Sequence, residues 1–142
     1  MHVFKFPKGF LWGTASSAYQ TEGNNKNCNW YWYFEEHADL KKPDFKRRLK
    51  EPCGTACDFW NRYQDDFDSA EAMGIQIHRL SIEWSRVFPT EDHIDKAALA
   101  HYKEMLQNLK SRNIKIMLCL HHFTFPQWIS ESGGLNYKAV LS

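Results

Sequence analysis

The stretch that most limits the fold is IQIHRLSIEWSRVFP, Ile75 to Pro89. It begins as a strand: Ile75, Ile77, Leu80 and Ile82 are apolar, Gly74 precedes the run and Pro89 closes it. Side chains alternate between the two faces of a strand. Arg79 therefore shares a face with Ile77 and Ser81, while His78, Leu80 and Ile82 share the other. A guanidinium among such neighbours is costly unless a carboxylate meets it. Either this is an edge strand with Arg79 in water, or it is a strand buried on both faces of a parallel sheet. In the second case Arg79 reaches toward a site that holds a carboxylate.

The flanking segments favour the parallel sheet. Phe10 to Ala15 (FLWGTA) reads as a first strand, with Ser16 to Gly23 as the loop at its end. Asp58 to Met73 has helical periodicity, with Phe59, Trp60, Tyr63, Phe67, Ala70 and Met73 on one broad stripe. Asp58 is placed to cap its start and Gly74 to close its end. Asp95 to Arg112 is a second helix, with Ala98, Leu99, Tyr102, Met105, Leu106 and Leu109 as its apolar stripe and Asn113 as a left-handed stop. Ile114 to Leu120 is a third strand, and Asn136 caps a further helix. Alternation of strand and helix implies parallel strands joined by right-handed crossovers. A complete (β/α)8 barrel needs about 250 residues. The 142 residues are expected to form an α/β fold, the first three βα units of a TIM barrel that is not closed. Residues 1–142 read as the N-terminal part of a single barrel domain.

Composition excludes several classes of function. A formal net charge of +1 gives no electrostatic case for nucleic acid or an anionic membrane. The basic run Lys41 to Lys50 is interrupted by Pro43, Asp44 and Phe45 and reads as a solvated loop. No apolar run approaches the ~20 residues of a membrane span. Lys5 and Lys8 fall where a leader would be apolar, so a cytoplasmic protein is expected. Cys53 and Cys57 lack a second pair at zinc-ligand spacing, and Cys119 reads as a small buried hydrophobe. Asp65, Asp66 and Asp68 do not match a calcium loop and read as a solvated face. No metal or cofactor is expected. The aromatic run Trp30 to Phe34 reads mainly as packing, and Glu22 as structural.

Three stretches carry a resemblance. HRLSIEWSRVFP resembles the second barrel strand of the family 1 glycoside hydrolases, the β-glucosidase family. FPKGFLWGTASSAYQTEG, Phe6 to Gly23, resembles the N-terminal signature of that family. HHFTFPQWI followed by GGL, His121 to Leu135, resembles its third strand end and the loop beyond. The matches lie in the family's order and spacing from about Phe6 to Val140. The resemblance implies a β-glucosidase-like O-glycosyl hydrolase that acts on β-linked glucosides with retention. Its partner is then a small-molecule β-glycoside or oligosaccharide, together with the remainder of the barrel.

The resemblance also assigns residues. Gln20 corresponds to a glutamine that holds hydroxyls of the non-reducing-end sugar. The register of HFTFP selects His122 as the sugar-binding histidine and leaves His121 to packing. Phe123 stands where the family often has Trp, and so lacks the indole donor. Arg79 corresponds to the arginine that pairs with the nucleophile and keeps it ionised.

Retaining hydrolysis needs two carboxyl groups about 5–5.5 Å apart. Glu83 is the one carboxylate directly at a strand end, and it reads as a structural charge. The family takes its acid/base from an Asn-Glu-Pro motif after a later strand, and its nucleophile from a later motif still. Neither occurs in these 142 residues, so no catalytic carboxylate is assigned. The rival reading is a non-catalytic sugar-binding or interaction module that uses Gln20 and His122.

Overall fold

A computed structural model describes residues 4–33 and 53–136. Its centre is a parallel sheet of three strands in the order β1 (Gly13–Ala15), β2 (Ile77–Ser81), β3 (Lys115–Cys119). Gly13 lies opposite Ile77, and Ile77 opposite Lys115. Between β1 and β2 come α1 (Ala18–Thr21), α2 (Asn29–Tyr31) and the long α3 (Phe59–Ala72). Between β2 and β3 come α4 (Trp84–Val87) and α5 (Lys96–Ser111). After β3 come α6 (Gln127–Glu131) and a 3-10 turn, Gly134–Asn136. The Lys41–Lys50 run and the helix expected after Asn136 lie outside the described residues.

The core forms where α3 and α5 lie against one face of the sheet. Phe59, Tyr63, Phe67 and Ala70 of α3 meet Leu80 of β2 and Tyr102, Met105 and Leu109 of α5. Met73 and Leu99, placed on these stripes by periodicity, are exposed instead. Met73 is already the C-cap of α3, where the stripe turns off the sheet. Both long helices end the same way. Gly74 (φ 71°) and Asn113 (φ 57°) take left-handed conformations. Ile75 N–H then bonds Ala70 O, and Ile114 N–H bonds Leu109 O, each at or near 3.0 Å. This is the Schellman closure, which satisfies the last carbonyls and aims the chain into the next strand.

The helix starts differ. Asp95 caps α5, its Oδ1 accepting from Ala97 N–H (2.8 Å) and Ala98 N–H (3.0 Å). Asp58 stands at the start of α3 but does not cap it. Its backbone is left-handed (φ 54°) and its carboxylate accepts from the Asn61 amide at 2.7 Å. Asp68 lies on the solvated face, as expected, and from there also pairs with Arg112 of the α5 end at 2.6 Å, linking the two helices.

β1 is shorter than its apolar run. Phe6, Phe10 and Trp12 leave the sheet and gather as an exposed aromatic cluster with ring centroids 4.6–5.2 Å apart. Gly13 explains the start of pairing. A Cβ there would lie 2.6 Å from Ile77 Cγ2 and 2.8 Å from Ile77 O, so only glycine permits this approach of β1 to β2.

β2 divides the structure into two faces. His78 is buried against the edge of Phe67, with Nδ1 2.8 Å from Thr14 Oγ1 and Nε2 3.3 Å from Ser16 Oγ. Burial lowers its pKa below the ordinary 6.5, opposed by the charge of Asp66. The opposite face is open. Met117 of β3, paired with Arg79 on this face, is 52% exposed. Among the described residues β1 and β3 each pair on one side only.

His78 contributes stability that is fully present above pH 6.5 and is lost as pH falls toward its lowered folded-state value. Denaturant titrations at pH 7.5 and 5.5 should show this drop, and His78→Gln should flatten it; an unchanged slope in the variant would assign the drop elsewhere. The open face and strand edges act as templates for association. Scattering mass of the 142-residue chain should therefore rise with concentration, and Met117→Lys should reduce that rise.

Candidate functional site

The strand ends following β1, β2 and β3 converge on a buried polar network. Glu22, just past α1, is 1% exposed, and Glu83, just past β2, is 0% exposed. Glu22 Oε1 accepts from Tyr102 O–H at 2.6 Å, and its Oε2 accepts from Arg86 Nε at 2.7 Å. Arg86 also donates to Gly23 O at 2.5 Å and lies 4.1 Å above the Trp60 ring. Tyr102 O in turn accepts the Glu83 backbone N–H at 2.9 Å. Glu83 Oε1 accepts from Ser85 Oγ (2.8 Å), and its Oε2 accepts from Thr124 Oγ1 (2.6 Å) in the loop after β3. Burial pushes the Glu22 carboxyl up, against the Tyr102 bond and the Arg86 charge that pull it down. Burial, then the adjacent Glu22, pushes the Tyr102 phenol well above its usual value, so it stays protonated and donates. Both oxygens of Glu83 are engaged with neighbouring hydroxyls, and this carboxylate is part of the scaffold.

The loop after β3 is fixed by this network. Thr124 N–H bonds His122 O at 2.8 Å across Phe123, whose φ is 67°. A bond from residue i to i+2 with a positive central φ is the rare, strained γ-turn. Such backbone costs about 1–3 kcal/mol and persists only where its surroundings over-determine it. Here the anchor is the Thr124–Glu83 bond.

Arg79 points to the open face of the sheet and is half-buried. Its Nη2 donates to Cys119 Sγ at 3.1 Å, and no carboxylate meets it among the described residues. Cys119 is thus half-exposed and hydrogen-bonded, not a buried hydrophobe; its thiol donates to His121 O at 3.2 Å. The apolar run of β3 concealed that its open face has no covering layer here. His122 is half-buried, with Nδ1 unpartnered among the described residues. Desolvation lowers its pKa first, and the charges of Arg79 and His121 add to this. Arg79 and His122 therefore share one electrostatic environment. His121 packs between Trp84 and Phe125, with ring centroids at 5.8 and 6.4 Å. Gln20 is exposed on α1, and its side chain makes no hydrogen bond among the described residues. It follows β1 as His122 follows β3, but no bond joins it to Arg79 or His122. A cleft of about 540 Å³ between Asn24–Asn27, Trp60, Arg86 and the start of α5 is lined by none of these three residues.

Sequence reasoning missed Arg86, Tyr102, Ser85 and Thr124. Tyr102 was hidden in an apolar stripe, and the separation of 64 residues between Arg86 and Glu22 leaves no local pattern. Opposite charges just beyond two consecutive strands were the available signal.

A profile of glycosyl hydrolase family 1 matches residues 2–142. The chain belongs to glycosyl hydrolase family 1. It is 34% identical over 143 residues to the aryl-phospho-beta-D-glucosidase BglC of Bacillus subtilis, covering 99% of this chain and 29% of that protein. It is 36% identical to beta-glucosidase 40 of Arabidopsis thaliana, covering 95% and 27%. The beta-glycosidase structure from Pyrococcus horikoshii superposes with a TM-score of 0.77 at 38% identity, covering 92% of this chain and 28% of that one. The chain spans less than a third of the length of these family 1 relatives. Its three-stranded parallel sheet is a partial, unclosed TIM barrel like the matching part of the family's β-glycosidases.

In this family 1 chain the network should dominate stability. Arg86→Met leaves Glu22 buried without its cation and should cost about 3–5 kcal/mol. Tyr102→Phe should cost about 1–3 kcal/mol, since Glu22 loses a donor and the Glu83 N–H its acceptor. Adding Glu22→Gln to Arg86→Met should recover part of the loss in a double-mutant cycle. Additive losses would show that the two side chains act separately.

Proposed function

We propose that the chain supplies part of the sugar-binding wall of a β-glucosidase-like enzyme that hydrolyses β-linked glucosides with retention. Arg79 carries the reading. Among the described residues its half-buried guanidinium meets only a thiol, and its charge acts on His122. A cation in that position is suited to hold a nucleophilic carboxylate in its ionised form. His122 and Gln20 are assigned to hydroxyls of the sugar. Neutral imidazole can donate from one nitrogen and accept at the other, and an amide can do both. The lowered pKa of His122 keeps it neutral in this role. The catalytic carboxylates come from other strands of the barrel, and Glu83 serves the scaffold.

The test joins residues 1–142 to the downstream strands of a family 1 relative. The chimaera should hydrolyse an aryl β-glucoside, and Arg79→Met should lower kcat/KM by about 10²–10³-fold, the usual loss on removing a preorganised charge partner. His122→Ala should raise KM as well as lower kcat/KM. The 142-residue chain alone should give no turnover above background. Full activity of the Arg79→Met chimaera, or turnover by the chain alone that Glu83→Gln abolishes, would overturn the assignment.

A further inference from the structure

Trp30 lies on the short α2, far in sequence from the loop after β3 yet stitched to it. Asn29 N–H bonds Phe125 O at 3.0 Å, and Asn29 Oδ1 accepts from Phe125 N–H at 3.0 Å. Gln127 N–H bonds Asn27 O at 3.1 Å, and Cys28 bridges Pro126. These bonds fix the backbone just before Trp30 against residues 125–127, the segment that follows His122. The rings then run in a line. Tyr19 of α1 meets Trp30 edge-on at 5.6 Å. Trp30 stacks on Phe123 at 5.6 Å with an interplanar angle of 22°. Phe123 meets the His122 ring edge-on at 4.7 Å.

Phe123 is the weak point of this line. It is 63% exposed, and it occupies the centre of the strained γ-turn. Thr124 holds the turn from one side through Glu83. On the exposed side, the stacked indole of Trp30 covers one face of the ring. Offset stacking fixes ring orientation as well as burying area. Without it, a bulky residue with positive φ has reason to relax.

We propose that Trp30 is a positioning residue for His122, acting through the stacked ring of Phe123. The inference rests on the reading of His122 as a sugar-facing residue, and it adds the element that fixes the orientation of that ring. Tyr19, at the other end of the line, neighbours Gln20. The same stack therefore ties the supports of the two assigned sugar ligands together.

The test is carbethoxylation of individual histidines in the 142-residue chain at neutral pH and high dilution, quantified by mass spectrometry. His121 serves as the exposed reference and buried His78 as the unfolding reference. Arg79 and His121 are the charged or titratable groups acting on His122, and both are retained in every variant. In Trp30→Leu the rate at His122 should rise several-fold while those at His78 and His121 stay unchanged. Trp30→Tyr, which keeps a stacking ring, should restore the original rate. Phe123→Leu should reproduce the rise even if Trp30→Leu fails to fold. An unmoved His122 rate in Phe123→Leu, or a rise shared equally by His78 in Trp30→Leu, would overturn the positioning role. The outcome is separable from the reading on which it rests. If the chimaera shows no sugar-dependent effect of His122→Ala while the labelling pattern holds, the sugar assignment fails and the stack stands.

Discussion

The structure depends on keeping one carboxylate, Glu22, paired and dry. Its two oxygens collect a phenol from α5 and a guanidinium from α4. Each of those groups then reaches a second element: Tyr102 accepts from the strand end after β2, and Arg86 clamps the loop after α1 and lies on Trp60 of α3. Buried charge is expensive, and a pair of this kind contributes little over a well-packed apolar substitute. What it supplies is direction. A hydrophobic contact tolerates sliding, whereas these bonds require strand ends, helix start and loop to meet at fixed atoms. The same network continues through Glu83 to Thr124, so the turn that carries His122 is built from the scaffold outward.

This division of labour separates two carboxylates from the chemistry that their position suggests. Glutamates at barrel strand ends invite a catalytic role. Here one is saturated with donors and the other is locked between Ser85 and Thr124. Among the described residues Arg79 meets no anion, and His122 Nδ1 has no partner, a state it shares with Asn25 Oδ1 and Gln127 Oε1. Arg79 lies on the face of the sheet away from the helices, and its charge acts on His122 in the loop after β3.

Much of the architecture was legible because periodicity reports burial directly. The alternation of β2, the stripes of α3 and α5, and the left-handed stops at Gly74 and Asn113 all follow from local chemistry. The failures were tertiary. Asp58 had the right residue type for a cap, but its left-handed backbone turns the carboxylate to Asn61. Cys119 sat in an apolar run, yet its neighbour across the strands is Ser81, with Arg79 within reach. The positions of Arg79 and His122 could be inferred from linked motifs. The network behind the loop that carries His122 could not, because most of its bonds join residues 19 to 80 positions apart. The γ-turn at Phe123 was likewise hidden, since nothing about phenylalanine announces a positive φ.

Gly13 has a wider meaning than local clearance. It is the sole glycine of β1, and it faces Ile77 at a distance that no Cβ survives. Sliding β1 along β2 would bring a side chain into that gap, so the missing Cβ works as an index mark that admits a single alignment of the two strands. The chain beyond Ala15 inherits that alignment. Ser16 N–H reaches Arg79 O, and Ala18 N–H reaches Ser81 Oγ, before α1 begins. A hydrogen atom in place of a methyl group thus sets where Tyr19, Gln20 and Glu22 enter the rim, well before any of them makes a contact of its own.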